Sequence, residues 1–227
     1  MKITFLGHAT LLIETAGNKI IVDPFISENP VSKDKINVDD IEADYILVTH
    51  AHQDHVLDVQ TIAENNPTSK LISNFEIINY FSKYGVDGHA MNHGGSWEFD
   101  FGRITMVNAW HSSSFADGTY GGNPAGYVLE SEGKSVYIAG DTGLTKDMEL
   151  IPLFTQLDLA ILPIGDNFTM GIDSAAVAAD FVKTDKVLGY HYDTWPVIAI
   201  DHNKAKEVFN KAGKELILLS VGESLEV

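Results

Sequence analysis

The chain has 227 residues, of which 44% are hydrophobic, so it is long enough for one large globular domain and its composition is not that of a disordered protein. Its formal net charge of −17, from 15 basic and 32 acidic residues, disfavours nucleic acids and anionic membranes as partners. The sequence has no cysteine, which excludes disulfides, thiolate metal sites and cysteine nucleophiles.

The opening of the chain has the alternating apolar pattern of short β-strands. Residues 2–6, 10–14 and 19–22 are predicted strands, and residues 15–18 (Thr-Ala-Gly-Asn) are a good hairpin turn between the last two. A polar stretch without clear periodicity follows, and residues 38–41 are suited to a helical turn. The chain is therefore predicted to begin with antiparallel β structure.

The rest of the first half alternates between strand and helix patterns. Residues 45–48 and 70–72 are predicted strands, whereas 58–65 and 75–84 suit helices, with Gly85 as a stop signal for the second. Alternation of this kind is typical of an α/β fold.

The order of features in the first half recurs from residue 103 onward. In each half a strand is followed by a histidine, then by two strands joined by a glycine turn, and then by an aspartate. The histidines are His8 and His111, and the aspartates are Asp23 and Asp141. This repeated order predicts two related, pseudo-symmetric halves.

Two further helices are predicted near the end of the chain. Residues 173–182, capped by Asp173-Ser174, and residues 201–211 suit helices, and an apolar strand follows each. Sheets in the middle with helices outside would bury the apolar faces. We therefore predict one α/β domain over residues 1–227, with halves of about 1–100 and 101–227.

A histidine-rich motif follows the apolar strand at 45–48. The sequence Thr-His-Ala-His-Gln-Asp-His places four potential metal ligands within six residues: His50, His52, Asp54 and His55. Imidazole nitrogens and carboxylate oxygens suit zinc and similar ions. In extended backbone His50 and His52 share a face, while a tight turn brings Asp54 and His55 to a second point, so two metal ions are predicted. The alternative is a solvated loop that happens to be rich in histidine.

The spacing of these residues with later ones resembles the signature of the metallo-β-lactamase-fold superfamily. The matching segments are His50-x-His52-x-Asp54-His55, His111, Gly140-Asp141-Thr142 and His191. Other segments are similar to the "metal-dependent hydrolase" branch related to ascorbate-phosphate lactonases and N-acyl-phosphatidylethanolamine phospholipase D. They are Gly7-His8-Ala9-Thr10, Asp23-Pro24-Phe25, Asn123-Pro124-Ala125-Gly126 and His191-Tyr192-Asp193-Thr194. The resemblance implies an αββα four-layer sandwich of two mixed β-sheets flanked by helices.

The resemblance also implies a ligand set for two divalent transition ions. One ion would be held by His50, His52 and His111, the other by Asp54, His55 and His191, with Asp141 bridging. Zinc is expected, although manganese, nickel, iron and cobalt accept the same ligands. A hydroxide between the ions would be the nucleophile, and Asp54 would orient it and pass its proton to the leaving group.

Four more residues are assigned to the surroundings of the metals. Asp23 either supports a ligand imidazole or only forms a turn. His8 either contacts substrate or is a packed structural histidine. Asn123 and Asn167 are related to substrate only through the resemblance.

The expected reaction is hydrolysis of a small ester, lactone or phosphodiester. A flavodiiron-like oxidoreductase on the same fold typically has glutamate where this chain has His52, and a metal-binding module without catalysis would not need Asp54. A nuclease is disfavoured, because Arg103 is the only arginine of the chain.

The absence of a signal peptide and of a long apolar segment predicts a cytoplasmic protein without a membrane anchor, and a homo-oligomer is left open.

Overall fold

A computed structural model describes residues 1–227, which form fourteen β-strands in two seven-stranded sheets. The first sheet contains β1 (Lys2–Gly7), β2 (Thr10–Thr15), β3 (Asn18–Val22), β4 (Tyr45–Leu47), β5 (Lys70–Asn74), β6 (Gly88–Met91) and β14 (Ser224–Glu226). The second contains β7 (Ser96–Phe99), β8 (Gly102–Asn108), β9 (Ala125–Ser131), β10 (Lys134–Ile138), β11 (Leu159–Pro163), β12 (Lys186–Tyr190) and β13 (Glu215–Ile217).

Five α-helices connect these strands. They are α1 (Gln53–Val56), α2 (Val59–Asn65), α3 (Phe75–Ser82), α4 (Ile172–Phe181) and α5 (His202–Lys211). Short 3-10 helices occur at Val38–Asp40, Lys146–Leu153 and Pro196–Ile198. No helix has both the length and the apolarity that crossing a membrane requires.

The two sheets have the same internal arrangement. In the first, β1, β2 and β3 are antiparallel neighbours, and β3 to β6 are parallel; in the second, β8, β9 and β10 are antiparallel, and β10 to β13 are parallel. An antiparallel edge strand completes each sheet. The first sheet takes β14 from the end of the chain, and the second takes β7, so neither sheet is formed only by the predicted half that supplies most of it.

Three apolar layers hold the sheets and helices together. The faces of the two sheets pack on each other through residues such as Ile13, Ile104 and Ile161, all fully buried. On the outer face of the first sheet lie α2 and α3, and on that of the second lie α4 and α5, whose Phe209 is fully buried. The predicted αββα four-layer sandwich is therefore confirmed, with one buried layer between the sheets and one beneath each helical layer.

One predicted helix cap is wrong. The structure places the N-cap of α4 at Gly171, not at Asp173-Ser174, because the Gly171 N–H donates to Ser174 Oγ at 3.1 Å and the helix begins at Ile172. Ser174 therefore acts from the third helical position, where a side-chain oxygen can reach back to a free N–H.

The carboxyl ends of four parallel strands meet at one edge of the sandwich. Asp23 follows β3, the histidine-rich motif follows β4, Asp141 follows β10 and His191 follows β12. Because parallel strands point the same way, residues that follow them collect at a common edge, where ligands of α/β proteins usually bind.

Candidate metal centre

The histidine-rich motif lies in the connection between β4 and the short helix α1. His52 is the N-cap of α1 in extended backbone, with φ −65° and ψ 146°, and His50 lies two residues before it. Asp54 and His55 lie within α1. The predicted tight turn is thus one turn of helix, which directs Asp54 and His55 to a different point from the two preceding histidines.

Asp141 is placed by a sharp turn after β10. The preceding Gly140 has φ +65°, and a Cβ atom there would lie 2.6 Å from the Ala125 carbonyl oxygen, so this position requires glycine. His111 follows β8 in the chain, and His191 follows β12 with φ +56°. A positive φ costs free energy for a residue with a side chain, and residues in this conformation cluster at functional sites.

The seven predicted ligands form one continuous cluster. Potential ligand atoms of His50, His52 and His111 lie within 4.8 Å of one another, and so do those of Asp54, His55, His191 and His8. The two groups meet at one oxygen, Asp141 Oδ2. It lies 3.9 Å from His50 Nε2, 3.5 Å from His55 Nε2, 3.6 Å from His111 Nε2 and 3.0 Å from His191 Nε2.

Several polar atoms in this cluster are buried without a hydrogen-bond partner. They are His55 Nε2, Asp141 Oδ1, His191 Nδ1 and His191 Nε2. Unpaired buried polar atoms are rare because each loses its water without compensation. Nitrogen and carboxylate donors that face each other in this way are the donor set that zinc and its neighbours bind, so the residues present fit a metal centre.

Asp23 and Thr49 orient two of the imidazoles. Asp23 Oδ2 lies 2.8 Å from His55 Nδ1 and accepts a 2.7 Å hydrogen bond from the Thr49 hydroxyl, whose oxygen is 3.0 Å from His50 Nδ1. The Thr49 hydroxyl donates its one proton to Asp23, so its oxygen accepts from His50 Nδ1–H. Both histidines therefore hold their protons on Nδ1 and present Nε2 to the centre.

Asp23 also belongs to a third geometric group, with His50 and His55, whose ligand atoms lie within 4.8 Å of one another. We assign it to orientation and not to metal binding. Both of its oxygens are already occupied by Thr49 and His55, and the side chain is fully buried.

Burial and neighbouring charges shift the pKa values of the cluster in different directions. Burial lowers the pKa of His50, His52 and His111, which keeps their imidazoles neutral and able to bind a cation. Burial also opposes charge on His55, but the carboxylates Asp141, Asp23 and Asp54 outweigh it and raise the pKa of His55. Burial disfavours an ionised Asp141, yet His191 and His55 hold its pKa well below the usual range.

His8 is placed beside Asp54 and away from the surface. Its side chain is fully buried, Nε2 lies 3.0 Å from Asp54 Oδ2, and Nδ1 lies 2.8 Å from Thr194 Oγ1. Burial and the neighbouring His191 lower the pKa of His8 to about 4, so the ring is neutral at pH 7. The ring is fully buried and its Nε2 faces Asp54, while its role toward substrate stays a prediction.

The two asparagines assigned through the resemblance are not part of the cluster. Asn123 is exposed, and its Oδ1 accepts a 3.1 Å hydrogen bond from the hydroxyl of Tyr120. Asn167 is exposed in a turn with φ +55°, a conformation that asparagine adopts more readily than most residues. Their roles toward substrate stay predictions.

Sequence reasoning missed three hydroxyl groups. Thr49 contacts Asp23 and His50, Thr194 contacts His8, and Ser112 Oγ lies 3.2 Å from His52 Nε2. Thr49 and Ser112 are each next to a predicted ligand in the sequence, and Thr194 is three residues after His191; this proximity was the available signal.

The four-layer fold, with histidine and aspartate side chains collected at the ends of its parallel strands, defines a metal-binding protein of the metallo-β-lactamase fold. The family model described as "Beta-lactamase superfamily domain" matches residues 2–191. The chain is 59% identical to a UPF0173 metal-dependent hydrolase of Flavobacterium johnsoniae and 56% identical to that of Christiangramia forsetii, over 100% of each chain. The chain therefore belongs to the metal-dependent hydrolase family of this superfamily.

A solved structure supports the same placement. Igni18, a metallo hydrolase of Ignicoccus hospitalis, is 32% identical and superposes with a TM-score of 0.88, covering 99% of this chain and 97% of its own. The predicted superfamily and branch are confirmed, and so is the prediction of a metal-dependent hydrolase.

Proposed function

We propose that the protein is a dinuclear hydrolase that cleaves a small ester, lactone or compact phosphodiester. His50, His52 and His111 hold one ion, Asp54, His55 and His191 hold the second, and Asp141 is shared. Zinc is the ion we expect, because neutral imidazole and carboxylate ligands suit it.

The position of Asp141 carries this proposal. A single carboxylate oxygen lies 3.0 to 3.9 Å from four imidazole nitrogens that belong to both ligand groups. The buried unpaired nitrogens belong to the second group, and a single ion there would leave His50, His52 and His111 converging on one another without an ion. The shared carboxylate therefore supports two adjacent ions over one.

Ions bound by these ligands would lower the pKa of water toward neutral and would polarise the oxygen of a scissile carbonyl or phosphoryl group. The chain supplies the proton transfer. The side chain of Asp54 is 27% exposed, against 4% for Asp141, so Asp54 is the carboxylate of the cluster that substrate can approach. Burial opposes its charge, but His55 and His8 keep the pKa of Asp54 below its usual value, so the side chain is ionised at neutral pH, the form that can accept a proton from an attacking water.

The charge of the chain favours a small substrate. With a net charge of −17, the protein repels long polyanions. Its single arginine, Arg103, lies on β8, where it is 3.4 Å from Glu98 and 4.0 Å from Glu130, so it is neutralised locally. An RNA-sized ligand would need a basic track that this chain lacks.

We expect the reconstituted protein to bind about two divalent ions per chain, since a tetrahedral site takes four ligands and Asp141 is shared between two sites. Elemental analysis by mass spectrometry after incubation with excess zinc or manganese and gel filtration gives the number directly. A single tightly bound ion per chain would contradict the dinuclear proposal.

The activity itself is tested by a panel of lactones, carboxylic esters, thioesters and phosphodiesters. We expect hydrolysis of at least one small class that is abolished by a chelator and restored by added metal, because the nucleophile depends on the bound ions. The matched control is the chelated protein supplied with magnesium, which prefers oxygen ligands. Metal-replete protein that cleaves none of the small substrates but cleaves RNA would replace this proposal with a nuclease.

A further inference from the structure

We propose that His8 is a positioning residue that holds the Asp54 carboxylate in one orientation, and that the Thr194 hydroxyl holds the His8 ring in place by donating a hydrogen bond to its other nitrogen. The proposal rests on the proposed function, because it assigns to His8 an effect on the proton transfer by Asp54. His8 and Thr194 are 186 positions apart in the sequence.

The direction of each hydrogen bond follows from the chemistry of the partners. An ionised carboxylate only accepts, so His8 must donate its Nε2–H to Asp54 Oδ2 across the 3.0 Å contact. A neutral imidazole with its proton on Nε2 accepts at Nδ1. The Thr194 hydroxyl, 2.8 Å away, is the donor to that nitrogen. Asp54 thereby fixes the tautomer of His8, and the Thr194 hydroxyl completes the hydrogen bonds of the ring.

The backbone of His8 has a left-handed conformation, which costs free energy for a residue with a side chain. His8 has φ +58°, and its carbonyl oxygen accepts a 2.7 Å hydrogen bond from the His191 N–H. The preceding residue, Gly7, has φ +104°, and a Cβ atom there would lie 2.1 Å from Ser32 Oγ. Glycine is therefore the residue that fits this position. Strain of this kind persists when surrounding contacts hold it, and it is common at functional sites.

Aromatic side chains enclose the ring. Its centroid lies 4.9 Å from that of Trp195, 5.7 Å from that of Phe25 and 4.0 Å from that of His191. The enclosed ring is fully buried and has both nitrogens in hydrogen bonds. Its side-chain hydrogen bond to the centre is the one with Asp54, which has the more accessible side chain of the pair.

The loop that carries Thr194 is itself closed by hydrogen bonds. The Asp193 N–H donates to the Ile198 carbonyl at 3.0 Å, and Asp193 Oδ1 accepts from the Ile200 N–H at 2.9 Å. His202 Nε2 lies 2.6 Å from Asp193 Oδ2. These contacts hold the Thr194 hydroxyl at the distance that His8 requires, so the orientation of Asp54 is set by a preformed loop.

The first test compares two substitutions of His8 with different chemistry. His8→Phe keeps an aromatic ring but removes the donor, and we expect kcat to fall about 10- to 100-fold, as for other residues that orient groups at a metal site. His8→Gln keeps an amide N–H donor and is expected to restore most of that loss. KM and metal content should stay near those of the unchanged protein, and His89→Phe, on β6, is the matched control.

The second test reads the tautomer without any reaction. In metal-free protein labelled with ¹⁵N at histidine, two-bond proton–nitrogen correlation is expected to show His8 protonated at Nε2 and unprotonated at Nδ1. Thr194→Val, which removes the hydroxyl at nearly constant volume, should leave Nδ1 without a hydrogen-bond donor, shift the Nδ1 resonance and lower kcat in the same direction as His8→Phe. Thr194→Ser keeps the hydroxyl and should restore both readouts.

The outcomes separate this inference from the proposed function. A protein that hydrolyses no substrate overturns the proposed function, while the nitrogen spectrum still tests the tautomer. Hydrolysis by His8→Phe at the rate of the unchanged protein, or a His8 protonated at Nδ1 in the unchanged protein, overturns the inference. If His8→Phe does not fold, Thr194→Val decides, because an equal kcat and an unchanged Nδ1 resonance in that variant would also overturn the inference.

Discussion

Asp54→Asn is expected to lower kcat roughly 10²- to 10⁴-fold, the range that a positioned acid–base group contributes. An amide coordinates a metal weakly through its oxygen but carries no proton to a leaving group. Metal content should therefore fall much less than kcat. Steady-state kinetics on the best panel substrate, with elemental analysis of the same sample, separates the two effects.

Asp173→Asn is the matched control, because it makes the same change in charge at an exposed residue in the first turn of α4. Its kcat should equal that of the unchanged protein. Near-normal turnover by metal-replete Asp54→Asn would remove Asp54 from the proton transfer. A loss of activity that only follows a loss of metal would make Asp54 a ligand and nothing more.

Most central strands could be predicted because local sequence and burial agree there. Residues 10–14, for example, alternate within β2, whose Leu11 and Ile13 are fully buried between the sheets. The edge strands β6 and β14 were missed, since Gly88–Met91 and Ser224–Glu226 have little apolar pattern of their own. They are strands because a neighbouring sheet edge offers free N–H and C=O groups, which is a tertiary cause.

The helix α1 was missed for a different reason. Its four residues, Gln53–Val56, are too few for a helical period, and they lie within a motif whose residue types already indicated metal ligands. Ligand geometry and local structure are therefore linked here, because Asp54 and His55 lie within the single turn of α1 whereas His52 precedes it.

The residues of the cluster could be predicted because their order in the sequence resembles a known signature, whereas the contacts that orient their side chains could not. His55 and Asp23 lie 32 positions apart, and the distance between His8 and Thr194 in the sequence is far greater. These contacts exist only once both sheets have closed into a sandwich. Periodicity and residue type report the strands, but not which of their ends will touch.

The two halves have aspartates at equivalent positions, after β3 and after β10, but the surroundings of these aspartates differ. Asp23 has both oxygens occupied by Thr49 and His55, whereas Asp141 Oδ1 is buried without a partner and Oδ2 faces four imidazoles. One position thus orients ligands and the other is left free to bind. The distinction comes from the hydroxyl of Thr49, which lies beside only one of them.

Asp141→Asn is the second variant with a large expected effect, because it removes the one negative charge that both ligand groups share. The Asp141 side chain is 4% exposed, so water cannot replace the lost charge, and the amide N–H₂ would face imidazole nitrogens. We expect both ions to be lost together, with affinity lower by more than about 100-fold, the upper end for residues that only orient ligands. Hydrolysis should fall with them.

Asp23→Asn provides the comparison, since it removes a charge of the same sign that contacts the cluster only through His55 and Thr49. We expect it to weaken metal binding about 10- to 100-fold, mainly for the ion at His55. Competition with a chromophoric chelator measures both variants, and circular dichroism of the metal-free proteins checks that each is folded. If Asp141→Asn still binds two ions, or loses only one, then Asp141 is not shared, and the two ligand groups act as independent sites.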